Sequence, residues 1–322
     1  MMPDSNNGGA PSLFQYPNAA STANPVPFAQ LQALCGEHLS IDLDVDRKAF
    51  WFFFHPAPVP CFNPGVLKEI LAVQAALKAA RCQIAVHPDH VVGVRWVVVG
   101  SRVPGVFNLG GDLALFLDLI KAQDWQALSK YATDCIDTIF NHVEGYGAGV
   151  GTISLVQGRA LGGGFECALA SGTIIAEEQA VLGLPEILFN LFPGMGAANM
   201  LARRVSGHRT DAMITAGGQW SARQLFDWGV INRVVEDGDG VRAANDWIDR
   251  YGEQGILHQR MKRLHIPLTY GELVGSITEW STAAMGISSR DQKLIKRLRR
   301  AQGSLGSAEE SAAEGSEGSS IP

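Results

Sequence analysis

Residues 155–171 read LVQGRALGGGFECALAS, and this stretch decides how the rest of the chain is read. A short apolar strand, Thr152–Gln157, leads into three consecutive glycines, Gly162, Gly163 and Gly164, and a helix follows to Ser171. A glycine run entering a helix lets a ligand approach the backbone, and the N–H groups of the first turn have no intrahelical acceptor. The helix dipole adds partial positive charge, so the junction suits a phosphate or a developing oxyanion. The spacing is not the G-x-G-x-x-G of a dinucleotide fold. It is not a P-loop either, since no Gly-Lys-Ser/Thr follows. Taken alone, the glycines fit close helix–strand packing equally well.

Two further glycine-bearing junctions flank this one. Upstream, residues 105–113 read GVFNLGGDL, with Asp112 placed to cap the helical run LALFLDLI. Downstream, residues 183–197 read GLPEILFNLFPGMGA. Glu166 falls in the first turn after the glycines, and Glu186 follows Pro185. Each acid alone fits the ordinary preference for carboxylates and proline at helix starts. Together, at two junctions beside a cluster of backbone N–H groups, they can flank one substrate carbon and divide acid and base roles.

Working outward, Leu39–His55 reads as a hairpin: LSIDLDV, a polar turn at Asp46-Arg47-Lys48, then AFWFFFH. Residues 66–80 and 124–145 carry helical apolar spacing, Val91–Gly100 reads as one buried strand, and Thr173–Ala176 as another. Leu184–Leu191 reads as a loop into a short helix. From Asp239 onward the pattern is helical, ending in the basic run Lys293, Lys296, Arg297, Arg299 and Arg300. Helices alternating with short strands give an α/β class with crossover connections. No internal repeat is visible. The expected organisation is a disordered tail at 1–26, a core at 27–238, a helical region at 239–302 and a disordered acidic tail at 303–322. Both tails lack the apolar content to offset the entropy of ordering.

Composition narrows the function. The 322 residues carry 26 basic and 32 acidic side chains, a net charge of −6, which is not the footprint of a nucleic-acid binder. No apolar run approaches the ~18–20 residues of a membrane helix, and Val91–Val99 is broken by Arg95. The N-terminus lacks the regions of a secretory signal. Five scattered cysteines, Cys35, Cys61, Cys82, Cys135 and Cys167, form no C-x-x-C pair or ligand-spaced cluster. Reduced thiols in a cytoplasmic protein without a metal are therefore expected. None of the eight histidines lies in a nucleophile motif, so a Ser–His hydrolase has no support.

GVFNLGGDL, LVQGRALGGGFECALAS, TIIAEE (residues 173–178) and GLPEILFNLFPGMGA resemble the crotonase (enoyl-CoA hydratase/isomerase) superfamily, from about Leu39 to Arg300. Within it, FNLGGDLALF, ALGGGFE and LPEILFNLFPGMGA are closer to the diffusible-signal-factor synthases. Those are bacterial enzymes that make cis-2-unsaturated fatty-acid quorum-sensing signals. The resemblance implies a spiral of β-β-α units with a helical C-terminal region, assembled as trimers or hexamers. It implies an oxyanion hole for a thioester carbonyl, its donors the backbone N–H groups of Gly111 and Gly163. The catalytic glutamates then fall on Glu166 and Glu186, with Asp112 as a cap. By resemblance to hydratases, Glu186 handles the C2 proton and Glu166 the hydroxyl or water oxygen.

The activity so implied is dehydration of a medium-chain 3-hydroxyacyl thioester followed by hydrolysis to the free acid, with no cofactor beyond the thioester carrier. The alternatives are an enoyl-CoA hydratase or isomerase of fatty-acid degradation, and a crotonase-fold protein that binds a partner such as a regulatory sensor or RNA. Many coenzyme A-using relatives carry a lysine just before the first oxyanion loop. Here only Arg102 stands there, which mildly favours acyl carrier protein as donor. The basic run at 293–300 is ordinarily a solvated helix face, and its functional reading is docking of an acidic carrier or of coenzyme A phosphates. Met195, Met200, Phe189, Phe192, Trp228 and Trp280 are candidates for an acyl pocket, although such positions are more often plain core.

Overall fold

The computed structural model describes residues 23–317. Most of the expected N-terminal tail, and residues 318–322, lie outside the described residues. Three sheets organise the rest. The largest has six strands: β2 (Leu39–Asp44), β3 (Ala49–Phe54), β6 (Trp96–Ser101), β8 (Gly151–Val156), β10 (Thr173–Glu177) and β13 (Arg233–Val235). Its order is β13-β10-β8-β6-β3-β2, parallel except for the β2–β3 hairpin. A four-stranded sheet, β12-β11-β9-β7, is built from β7 (Val106–Asn108), β9 (Arg159–Leu161), β11 (Val181–Gly183) and β12 (Gln219–Ser221). A small third sheet joins β1 (Val26–Pro27), β4 (Gln83–His87) and β5 (His90–Gly93).

The chain climbs between the two larger sheets in repeated steps. β6 and β7 lead to helices α3 (Leu113–Ala122) and α4 (Trp125–Glu144), β8 and β9 lead to α5 (Gly163–Leu169), and β10 and β11 lead to a 3₁₀ turn at Glu186–Phe189. Each step places its first strand in the six-stranded sheet and its second in the four-stranded one. This is the expected spiral of β-β-α units. Helices α1 (Phe28–Gln32) and α2 (Pro64–Ala79) precede it. α6 (Ala197–Ala202), α7 (Gly207–Ala216) and α8 (Ala222–Asp227) complete the core. α9 (Gly240–His265), α10 (Tyr270–Val274), α11 (Ile277–Met285) and α12 (Ser289–Glu317) form the helical C-terminal region.

The central strands explain why alternation is weak in the sequence. β3, β6 and β8 are buried at every residue. One sheet face meets the main core with Phe50, Phe52 and Val97, and the other packs Trp51, Trp96 and Val98 under Ala244 and Ile248 of α9. Strands covered on both faces read as continuous apolar runs.

Two expectations change. Val91–Gly100 is two strands in different sheets, because the chain switches partners at Val94-Arg95: Val94 N–H donates to Cys82 O and Arg95 N–H to Lys48 O. An apolar run signals burial but not which sheet buries it. The stretch 303–317, expected as a disordered tail, continues α12 as helical backbone. It is rich in Ala and Glu, and extending an existing helix needs no new nucleus.

Candidate active site

The first glycine junction is pinned on every side but one. Between residues 109 and 112, Leu109 N–H donates to Pro60 O at 2.8 Å, Gly110 N–H to Asn108 Oδ1 at 2.8 Å, and Asp112 N–H to Tyr131 Oη at 2.8 Å. Gly111 N–H alone has no acceptor among the described residues. Its peptide is nevertheless fixed, because Phe62 N–H donates to Gly110 O at 2.7 Å. A carbonyl held on one side of a planar peptide aims its N–H to the other. Asp112 caps α3 as expected, accepting from Ala114 N–H at 2.9 Å and Leu115 N–H at 3.1 Å.

The second junction abuts the first. Gly110 has φ +89°, and a Cβ there would lie 3.1 Å from Gly163 N, so the two loops touch backbone to backbone. Gly162 N–H is taken by Gly183 O at 2.8 Å, whereas Gly163 opens α5 and its N–H has no intrahelical acceptor. Gly111 and Gly163 both line one cavity of ≈ 90 Å³. Two backbone donors lining one small cavity are what an oxyanion hole requires.

Glu166 and Glu186 line the same cavity. Glu166 is buried, and its Oε1 accepts from Met195 N–H at 2.8 Å and Ala197 N–H at 2.9 Å. Glu186 sits at the start of the 3₁₀ turn, and a Cβ on Gly162 would lie only 2.7 Å from its Oε1. Its Oε2 is buried with no hydrogen-bond partner. Burial raises the pKa of both carboxyls. For Glu166 the two backbone donors oppose that rise, while for Glu186 the charge of Glu166 adds to it. Within the pair, the Met195 and Ala197 N–H donors favour the negative charge on Glu166, and the unpartnered Oε2 of Glu186 favours the proton there.

Sequence reading missed several lining residues: Tyr131, Cys135, Phe116 and Leu191. Of the pocket candidates, Met195, Phe189 and Trp280 line this cavity, with Trp280 against Phe116 at a ring separation of 5.6 Å. Met200 lines a different cavity, and Trp228 packs on Trp220. Arg102 is engaged elsewhere, donating to Ser40 Oγ at 2.9 Å and Asp42 Oδ2 at 2.8 Å. Tyr131 is the most informative omission. It looks like one more apolar-face position of α4, yet its hydroxyl donates to Phe62 O at 2.7 Å while accepting from Asp112 N–H. It thus ties the Asp112 end of the Gly111 run to Phe62, whose own N–H holds the Gly110 end. Tyr131→Phe is expected to lower turnover about 10–100-fold, the scale of an ångström-level displacement. A stopped-assay kcat against KM measurement checks this, with kcat taking most of the loss.

The sequence matches the enoyl-CoA hydratase/isomerase family over residues 86–271, and the chain belongs to that family, the crotonase superfamily. It is 29% identical over 243 residues to the Arabidopsis thaliana protein named "Probable enoyl-CoA hydratase 2, mitochondrial", covering 74% of this chain and 71% of that one. The match to the Pseudomonas savastanoi fatty acid oxidation complex subunit alpha, 30% identical, spans only 24% of that protein. Among solved structures, enoyl-CoA hydratase from Bacillus halodurans superposes with TM-score 0.67 at 16% identity over 81% of this chain and 99% of that one. Pseudomonas aeruginosa DspI superposes with TM-score 0.57 at 22% identity, over 70% and 84%. These likenesses establish the crotonase fold with its helical C-terminal region. Lyase activity of the enoyl-CoA hydratase kind goes with the family. Among the described residues, no helix is long and apolar enough to cross a membrane.

Proposed function

We propose that the protein makes a cis-2-unsaturated fatty acid by dehydrating a medium-chain 3-hydroxyacyl thioester of acyl carrier protein and then hydrolysing the product thioester. The observation carrying this reading is the pairing of two unlike carboxyls with two unpartnered backbone N–H groups in one cavity. Removing a proton from C2 moves negative charge onto the thioester oxygen, where the Gly111 and Gly163 N–H groups stabilise it. Such a donor is typically worth ~3–4 kcal/mol. One glutamate takes the C2 proton and the other delivers its proton to the departing 3-hydroxyl as water. In the second step water adds to the thioester carbon, the C–S bond breaks, and the carrier leaves as a thiol. The same oxyanion hole and a carboxylate serve that step.

The choice of carrier rests on α12. Its inner side packs Ile295, Leu294 and Leu298 against Phe116 and Phe189, and Gln302 donates to Leu109 O at 2.8 Å. The exposed basic side chains Lys293, Lys296, Arg297, Arg299 and Arg300 therefore ride on a helix that packs against two residues lining the catalytic cavity, Phe116 and Phe189. An acidic carrier docking there would deliver its acyl group beside the two junctions. The reading further places the protein in the cytoplasm as a homotrimer or hexamer, with no resident cofactor and with a regulatory sensor protein as a second partner.

A second reading, a degradative enoyl-CoA hydratase, is favoured by the resting proton. With Glu166 ionised and Glu186 protonated, Glu166 is set to activate water and Glu186 to protonate C2, which is the hydration direction. Dehydration by the roles assigned above needs the proton on Glu166 at the outset. Incubation with 3-hydroxydodecanoyl carrier protein, followed by mass spectrometry, separates the two. Release of free cis-2-enoic acid is the expected result. Reversible interconversion of coenzyme A thioesters without free acid would transfer the assignment to the hydratase.

A further inference from the structure

We propose that a second cavity, on the far side of α5 from the catalytic one, is a binding site for a single-chain fatty carboxylate. The cavity measures ≈ 470 Å³, within the ~300–1,000 Å³ typical of ligand sites. It shares no lining residue with the catalytic cavity. Its walls are mostly apolar, formed by Phe140 and Val143 of α4, Leu169 at the end of α5, Met200 of α6, and Leu264 and Leu268.

Four cations stand among these walls. Arg203, Arg204, Lys262 and Arg263 line the cavity, and Glu144 is the one acid among the lining residues. Glu144 is bound to Lys78, and Arg203 is bound to Glu272 at 2.7 Å. Arg204 donates to the carbonyls of Leu169, Ser171 and Val230, and Arg263 to those of Val143 and Val150. Carbonyls satisfy the guanidinium hydrogen bonds of Arg204 but do not neutralise its charge. Lys262 has no hydrogen-bond or ion-pair partner among the described residues. Burial and the charge of Arg204 both lower its pKa, so an arriving anion would relieve the strain of two cations side by side.

The shape of the charge selects the ligand class. A cavity lined by cations and by a larger set of apolar side chains fits one anionic head and a hydrocarbon body. A nucleotide or a polyphosphate would strand polar groups against Phe140, Leu169 and Met200, where nothing apolar can replace their hydration. The site also abuts the catalytic machinery through covalent structure. The seven residues of α5 separate the Gly163 end from the Leu169 end by roughly 10 Å. α6 supplies the Ala197 N–H that holds Glu166 and, one turn on, the Met200 that lines the second cavity. The assignment does not depend on which thioester reaction the catalytic cavity performs.

The test is photolabelling of the full-length protein with dodecanoate carrying a terminal diazirine, followed by peptide mapping. Label is expected within 140–149 and 259–270, suppressed at least tenfold by excess dodecanoate and not by equimolar dodecanol. Lys262→Glu, checked for an unchanged melting temperature, is expected to lose at least tenfold of the competed label. Three results would each overturn the proposal: label confined to the lining of the catalytic cavity, competition by dodecanol equal to that by dodecanoate, or no competed label in the wild-type protein. The last is also what a second copy of the chain filling the cleft would produce.

Discussion

Glu186→Gln is expected to lower turnover of an enoyl or 3-hydroxyacyl thioester by about 10²–10⁴-fold, the range of a lost general acid–base group, while making the protein more stable in mildly alkaline solution. The second effect follows from the same burial that equips the residue. The ordinary value for such a carboxyl is 4.5, and in the folded protein it is raised by burial and by Glu166. The folded state therefore keeps a proton that the unfolded chain has released. Stability is fully present below the ordinary value and is lost as pH rises through the raised one. Glutamine carries no such proton and removes that slope. Melting curves of the two proteins from pH 5 to 9 check the sign. Curves that stay parallel would remove the claim that Glu186 is a neutral acid in the resting site.

Glu166 behaves differently because it is held. Glu166→Gln leaves a carbonyl oxygen able to accept from Met195 and Ala197, whereas Glu166→Ala orphans both N–H groups, each at ~1–3 kcal/mol. Both substitutions should abolish turnover, and only the alanine should lower the melting temperature substantially. The wild-type rate should also fall on both sides of a pH optimum. Below it both carboxyls are protonated, and above it both are ionised, so neither extreme retains one acid and one base.

How much of this was legible follows from where the information is stored. Glu166 and Glu186 were readable because each sits in a local junction whose glycines and helix start are visible within a few residues, whereas the choice of Gly111 and Gly163 within those junctions came from the family resemblance. The structure gathers all four around one cavity, which no spacing along the chain could establish. Tyr131 was hidden because its hydroxyl acts across 69 residues on Phe62, and Gln302 because it reaches Leu109 across 193. The β-β-α repeat left no repeat in the sequence, since it is a path of the backbone between two sheets. Inner strands covered on both faces carry no alternation to betray it. The division of the proton between the glutamates was likewise invisible. It depends on two N–H groups, of Met195 and Ala197, arriving from a loop about thirty residues downstream.

The other large effect is expected at a residue with no chemistry of its own. A Cβ on Gly164 would overlap Asn108 O and lie 2.7 Å from Asn108 C and 3.1 Å from Asn108 Cβ. All of these belong to the strand end that leads into the first oxyanion loop. Backbone cannot swing aside as a long side chain can, so Gly164→Ala must separate the first junction from the second. Overpacking of this kind costs ~1–3 kcal/mol and more where the neighbours are rigid. The same separation displaces Gly111 N–H from Gly163 N–H, for which about a hundredfold loss of turnover is expected. Gly111→Ala is the control: its added Cβ meets only Tyr131 Oη, at 3.3 Å, and the N–H group is retained. It should keep most of the stability and a larger share of the rate. Equal damage from the two substitutions, measured by melting and by kcat, would show that the contact between the two loops is not what sets the oxyanion site.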